Sequence, residues 1–228
     1  MSKKLKLSVI IPTLRRPDDL SLAVSSILEQ SILLEELIIV DQSIDSDSYN
    51  KVNEIFIKSK LELRPNLIYI HDTSINGLVA AKNQGVIESS GDIICFLEDD
   101  EILSFNYLEN VLNAFNSNDQ LLGCSGIVSN IRRSFFYEIM FKLFHLGLFL
   151  DKRVDVIKYI DPEGRGDLIT SSHLSGGISS YRREVFDEIK YDLRNPFFYC
   201  EDIEFSIRAS NYYGVNRFAI VTNVCLAH

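Results

Sequence analysis

Apolar residues along the chain fall into short, nearly unbroken runs that end at polar or turn-forming residues. Residues 5–11 (LKLSVII) stop at Pro12, 36–40 (ELIIV) at Asp41, and 92–97 (DIICFL) at Glu98-Asp99-Asp100-Glu101, with a further run at 67–71 (LIYIH). Runs of this kind predict buried strands. The segments between them change period. Pro17-Asp18-Asp19 offers a helix start, and Leu20, Ala23, Val24, Ile27 and Leu28 follow at helical spacing. Residues 49–58, 78–88 (after the break at Asn76-Gly77, with Gly91 as a stop) and 104–116 predict three further helices. Strand alternating with helix predicts an α/β fold, a mostly parallel central sheet with helices on both faces. Such sheets bind ligands at the carboxyl ends of their strands. Those ends carry Pro12-Thr13, Asp41 and the Glu98–Asp100 run.

The second half is less regular. Residues 161–177 hold several glycines and serines and predict a loop; 178–190 predict a strand and a short helix. Residues 201–210 predict a helix whose acidic opening suits the N-terminal end of its dipole, and 217–226 a last strand. Residues 134–150 (SFFYEIMFKLFHLGLFL) are apolar on most sides and admit two readings. One is a buried helix or dimer contact. The other is an interfacial helix that brings a site to a lipid-linked acceptor, with Lys142, His145, Lys152 and Arg153 toward headgroups and Phe135, Phe136, Phe141, Phe144 and Phe149 dipping in.

Charge narrows the function classes. The 228-residue chain has a net charge of −9, and its basic pairs, Arg15-Arg16, Arg132-Arg133 and Arg182-Arg183, are scattered. No basic stripe marks a nucleic-acid partner. An anionic substrate would need a metal or helix N-termini to meet it locally. Cys95, Cys124, Cys200 and Cys225 form no CxxC pair, so they are expected as reduced thiols of a cytosolic protein. The first residues do not resemble a signal peptide, and no apolar stretch of ~20 residues predicts a membrane span. The expected location is cytoplasmic, peripheral at the membrane under the second reading of 134–150. GxxxxGK[ST], GxGxxG and GxSxG motifs are absent, which disfavours P-loop NTPases, dinucleotide-binding dehydrogenases and α/β-hydrolases.

Four groups could carry chemistry. Adjacent carboxylates at 98–101 repel one another after a buried strand and call for a cation; oxygen ligands and a diphosphate suit Mg²⁺ or Mn²⁺, while the plainer alternative is a solvated acidic turn. Asp41, with Ser43, Asp45 and Asp47, could accept hydrogen bonds from a base or ribose or simply form a turn. Asp202, beside Glu201, could take a proton from an acceptor hydroxyl or cap a helix. His228 could ligate a metal or be a solvated tail.

The order of these pieces is more specific than any one of them. SVIIPTLRRPDDL, LIIVDQSIDSD, NGLVAAKNQGVIESSGDIICFLEDDE, SGGISSYRREVFDEI, YCEDIEFSIRASNYYG and a terminal histidine follow in that sequence. The chain resembles the family 2 glycosyltransferases of GT-A fold over residues 5–116 and 174–228, and only loosely over 117–173. The resemblance implies a single domain, 1–228, with a Rossmann-like nucleotide-sugar-binding half at 1–116 and an acceptor-binding half at 117–228. It implies that Pro12 and Thr13 lie against the nucleotide, that Asp41 reads the base, and that Lys82 stands where such enzymes often have arginine. Lysine keeps that charge without the planar fork. Glu98-Asp99-Asp100 takes the place of the DxD motif with glutamate first, Asp99 on the ribose and Asp100 on the metal. Asp202 becomes the general base, His228 a metal ligand, and Glu201, Gly176 and Gly177 support the acceptor side.

The implied activity is inverting sugar transfer from a UDP-, dTDP- or GDP-linked donor to a glycan or lipid-linked acceptor, with Mg²⁺ or Mn²⁺. A sugar nucleotidyltransferase would want a glycine-rich phosphate loop where this chain has PTLRRPDD. A signalling receiver domain is about half this length. A non-catalytic sugar-nucleotide-binding module remains an alternative.

Overall fold

Leu7–Thr13 forms β1, buried along its whole length. The computed structural model describes residues 5–59, 64–128, 139–140, 159–161, 164, 166–194 and 200–227. After β1 come helix α1 (Pro17–Leu28), β2 (Glu36–Asp41), α2 (Asp47–Lys58), β3 (Asn66–His71), α3 (Leu78–Glu88) and β4 (Ile93–Phe96). Then follow β5 (Ile102–Leu103), α4 (Tyr107–Ser117), β6 (Gly123–Val128), β7 (Leu168–Thr170), β8 (Ser179–Arg182), α5 (Val185–Glu188), α6 (Glu201–Tyr213) and β9 (Phe218–Ala227).

The strands form one sheet in the order β3-β2-β1-β4-β8-β6-β9-β5, with β7 also paired to β9. β1 to β4 are parallel neighbours. β8 runs antiparallel to β4 and β6, β6 and β9 run parallel, and β5 and β7 oppose β9. Hence β1, β2, β3, β4, β6 and β9 share one direction.

The runs lack polar alternation because both faces of the sheet are covered. Successive side chains point to opposite faces. Val9, Ile11, Leu37, Ile39, Ile93 and Cys95 join one core with Leu20, Val24, Val52, Leu108 and Phe115 of α1, α2 and α4. Ile10, Ile38, Val40, Ile94 and Phe96 join the other with Ala81, Val185, Phe186, Phe205 and Ala209 of α3, α5 and α6.

Two expectations change. The 161–177 segment carries β7, and the helix expected at 104–116 is preceded by the two-residue strand β5 and begins at Tyr107. Ser104 has another use: its hydroxyl donates to the Cys225 carbonyl at 2.7 Å. Of the 134–150 stretch only residues 139 and 140 are described, so both readings of it lie outside the described residues. Among those residues no helix is long and apolar enough to cross a membrane.

Candidate active site

The strand order reverses at β1, with β2 and β3 on one side and β4 on the other. Outside the carboxyl ends of strands at such a switch point, the diverging loops leave a crevice. Here the crevice is a cleft of about 370 Å³, a size suited to a small ligand. Pro12, Thr13, Leu14 and Arg16 line it from the end of β1, Gln42 from just past β2, Gly77, Leu78 and Lys82 from the start of α3, and Leu97, Glu98 and Asp99 from β4.

Arg16 organises the acidic side. Its guanidinium donates to Asp99 Oδ1 at 2.9 Å, to Asp100 Oδ2 at 2.6 Å and to Asp19 Oδ2 at 3.0 Å. Thr13 Oγ1 donates to the other Asp99 oxygen at 2.7 Å. Burial nevertheless raises the Asp99 carboxyl above its ordinary value, against the pull of Thr13 and Arg16. The Arg16 guanidinium is pushed further up by its bond to Asp100. The cation called for by the carboxylate run is therefore supplied, in this state, by the protein itself.

Asp41 is fully buried at the end of β2. One of its oxygens accepts from Ser43 N at 2.9 Å and the other from the Tyr69 hydroxyl at 2.6 Å. Burial first, then the bond to Asp41, holds the Tyr69 phenol protonated well above its usual range. The next residue, Gln42, just past β2, lines the cleft, and its Oε1 accepts from Gly77 N at 2.8 Å.

The far side of the cleft is joined to α6. Lys82 Nζ donates to Glu201 Oε1 at 2.8 Å, with both side chains buried, and lies over the rings of Tyr191 and Phe96. Gly176 N donates to Asp202 Oδ2 at 2.7 Å, and Ile203 N to Asp202 Oδ1 at 2.8 Å. Glu201 and Asp202 open α6 behind Cys200, which holds a left-handed φ of 100°. That conformation is strained for a residue with a side chain. A Cβ on Gly176 would lie 2.4 Å from Asp202 Cβ; one on Gly177 would lie 2.7 Å from Glu101 Oε1 and 2.8 Å from Glu98 Cδ. Both glycines are needed because the backbone passes between these carboxylates.

Buried Glu101 accepts from Glu98 N at 3.0 Å, which folds the acidic run back on itself. Loss of solvation pushes its carboxyl up to about 9, so it is an uncharged acid at neutral pH.

Pro12, Thr13, Lys82 and Asp99 thus line one cleft, and Asp100 joins them through Arg16. Glu201 and Gly176 meet Lys82, and Asp202 meets Gly176. Asp41 stands behind Gln42, and His228 lies outside the described residues. The sequence reading missed Arg16, Gln42, Tyr69 and Glu101. Arg16 looked like one of several scattered basic pairs, and Glu101 like one more charge in a run. Only the intervals of 83 and 84 residues closed by the fold reveal Arg16 as the counter-ion.

Among the described residues no group of three or more His, Cys, Asp or Glu side chains converges as a metal site. Asp99 and Asp100 do converge on a single cationic group. Mg²⁺ is commonly held by one or two carboxylates and completed by substrate phosphates and water. The pair fits a divalent cation that is completed by a diphosphate.

The family model described as Glycosyl transferase family 2 matches residues 8–190. An uncharacterized glycosyltransferase of Bacillus subtilis (strain 168), YwdF, is 29% identical over 218 residues, which cover 93% of this chain and 71% of that protein. The inactive polypeptide N-acetylgalactosaminyltransferase-like protein 5 of Mus musculus is 29% identical over 195 residues, covering 82% of this chain and 44% of that protein. Among solved structures, the mannosyltransferase PcManGT from Pyrobaculum calidifontis, in complex with GDP-Man and Mn²⁺, superposes with a TM-score of 0.68 at 16% identity. That match covers all of this chain but 57% of the other, so this chain spans little more than half its length.

Proposed function

The chain belongs to glycosyltransferase family 2, and on that footing we propose that it moves a sugar from a nucleotide-diphosphate donor to an acceptor hydroxyl with inversion at the sugar carbon. The observation that carries this reading is the meeting of Thr13, Arg16, Asp99 and Asp100 around one end of a cleft at the sheet's switch point. In that reading residues 1–116 supply the donor half of the sheet and 117–228 the acceptor half. Pro12 and Thr13 lie along the nucleotide. Asp41 holds the loop that presents Gln42 to the base, and Asp99 meets the ribose.

Asp100, with Asp99 beside it, would hold Mg²⁺ or Mn²⁺, a Lewis acid that stabilises the diphosphate as it leaves. Lys82 lines the cleft from α3 and is fixed in place by Glu201. Asp202 accepts one backbone N–H at each oxygen. Each carboxylate oxygen has a second acceptor site, so Asp202 remains able to take a proton. It removes the acceptor hydroxyl's proton as that oxygen forms its bond to the sugar carbon. The bond to the diphosphate breaks, and its electron pair leaves on the phosphate oxygen. A general base is required because a hydroxyl is a poor nucleophile.

The test is calorimetry with UDP, dTDP and GDP in the presence of Mn²⁺, followed by transfer assays with the matching sugar nucleotides. Binding of one nucleotide that Asp100→Ala abolishes in a folded protein supports the reading, and unchanged binding in that variant removes Asp100 from the site. A non-catalytic donor-binding role is the second reading, favoured by the inactive mouse relative. It predicts nucleotide binding without turnover.

A further inference from the structure

Arg16 bridges the carboxylate that would hold a divalent cation and its neighbour. Its guanidinium bridges Asp99 and Asp100 with bonds of 2.9 and 2.6 Å, while its side chain stays 44% exposed and lines the cleft. We propose that Arg16 is a tethered counter-ion, holding Asp99 and Asp100 in the free protein and releasing them when the donor enters, Asp100 to the divalent cation and Asp99 to the ribose, whereupon the guanidinium pairs with the donor's diphosphate. The proposal rests on the donor reading of this cleft and adds an exchange step to it.

The physical argument has three parts. First, two adjacent carboxylates, one of them buried, are unstable without positive charge. Among the described residues Arg16 supplies positive charge to both. Second, arginine does not lose its proton in proteins. It can leave the carboxylates only by moving, and a cation bound to the Asp100 oxygen that Arg16 now holds would force that move. Third, Arg16 has a fixed backbone anchor and a side chain that is partly exposed to solvent. It is the N-cap of α1, and the preceding turn is held by the bond from Arg15 N to Ser43 Oγ at 2.8 Å. The motion therefore belongs to the side chain. A planar guanidinium released beside a diphosphate finds the geometry it pairs with best.

The exchange makes cation and donor bind as partners. Without a diphosphate, a cation must evict Arg16 from two carboxylates and leave it with Asp19 alone. With a diphosphate, the evicted guanidinium gains a new anionic partner. Cation affinity is therefore low in the absence of donor and rises with it, and by linkage the reverse holds.

The experiment is calorimetry on wild type, Arg16→Gln and Arg16→Lys, first with Mn²⁺ alone and then with UDP or GDP at saturating Mn²⁺. Charged hydrogen bonds are worth enough to predict changes of about tenfold or more. Arg16→Gln should bind Mn²⁺ alone more tightly than wild type and the nucleoside diphosphate more weakly, with Arg16→Lys between the two. Opposite signs in the two titrations are the signature, since a merely structural role would weaken both. Equal or weaker Mn²⁺ binding by a folded Arg16→Gln overturns the proposal. If Mn²⁺ binding tightens but neither nucleotide binds wild type, the counter-ion role stands, and the donor reading of the cleft and the handover to a diphosphate fall.

Discussion

Lys82 and Glu201, 119 residues apart in the chain, meet as an ion pair of 2.8 Å that is buried on both sides. It ties the first turns of α3 to the first turn of α6. Removing one partner leaves a charge without compensation, a loss of roughly 3–5 kcal/mol. Lys82→Met alone should therefore destabilise the fold by about that much in urea titrations. Lys82→Met with Glu201→Leu should recover a large part of it, because well-packed apolar replacements of buried pairs are often tolerated. A double variant no more stable than the single one would show that the pair's packing, not its charge, matters.

Asp202→Asn keeps an oxygen for Gly176 N and removes the basicity. Sugar transfer should fall by roughly 10²–10⁴-fold while nucleotide and Mn²⁺ binding stay at wild-type strength. Cys200, not Asp202, is the N-cap of α6; if Asp202 serves only to hold Gly176 N, asparagine keeps that acceptor, and turnover near wild type would end its case as the base.

Glu101 gives a pH signature. Its carboxyl is raised from 4.5 to about 9 in the folded protein, so folding takes up a proton between those values, and stability falls as pH rises through that window. The slope from one such group is at most about 1.4 kcal/mol per pH unit. Glu101→Gln keeps the acceptor for Glu98 N and removes the titration. Denaturation from pH 5 to pH 8.5 in chelator should show wild type losing stability relative to the variant. Parallel curves would mean that Glu101 is charged in the fold.

The four thiols are free, and Cys200 is the exposed one. Burial pushes the Cys95 thiol up to about 12 and raises those of Cys124 and Cys225 as well, which keeps them unreactive. The native protein should take up one equivalent of a thiol reagent at Cys200, and four after denaturation. More than one fast equivalent would mean that the core opens.

The parallel half of the sheet was legible because β1, β2 and β4 are buried on both faces and end in polar residues. Those same ends located the cleft. β6 was missed because GCSGIV mixes small and polar residues with few large apolar ones, and is buried through its pairing with β8 and β9. β7 was missed because its three residues gain their order from β9. In the site, Thr13 and Asp99 were identified by position at strand ends, and Lys82 through the resemblance to the family. Arg16, Tyr69 and Glu101 act through partners that only the folded chain brings near, or through loss of solvent, and neither is written in local spacing.

The passage of Gly176 and Gly177 between Asp202 on one side and Glu98 and Glu101 on the other has a consequence for how such a protein can diversify. The gap between Asp202 and the acidic strand end is one backbone thick. No side chain sets it, so no ordinary point substitution can tune it finely; the smallest addition, a methyl group, already collides. Under the proposed function, the reach of the reaction is thus insulated from drift in the surrounding surface. New acceptors would have to be accommodated by reshaping the walls around an unchanging span, whereas a change in the span itself would require rebuilding the main chain.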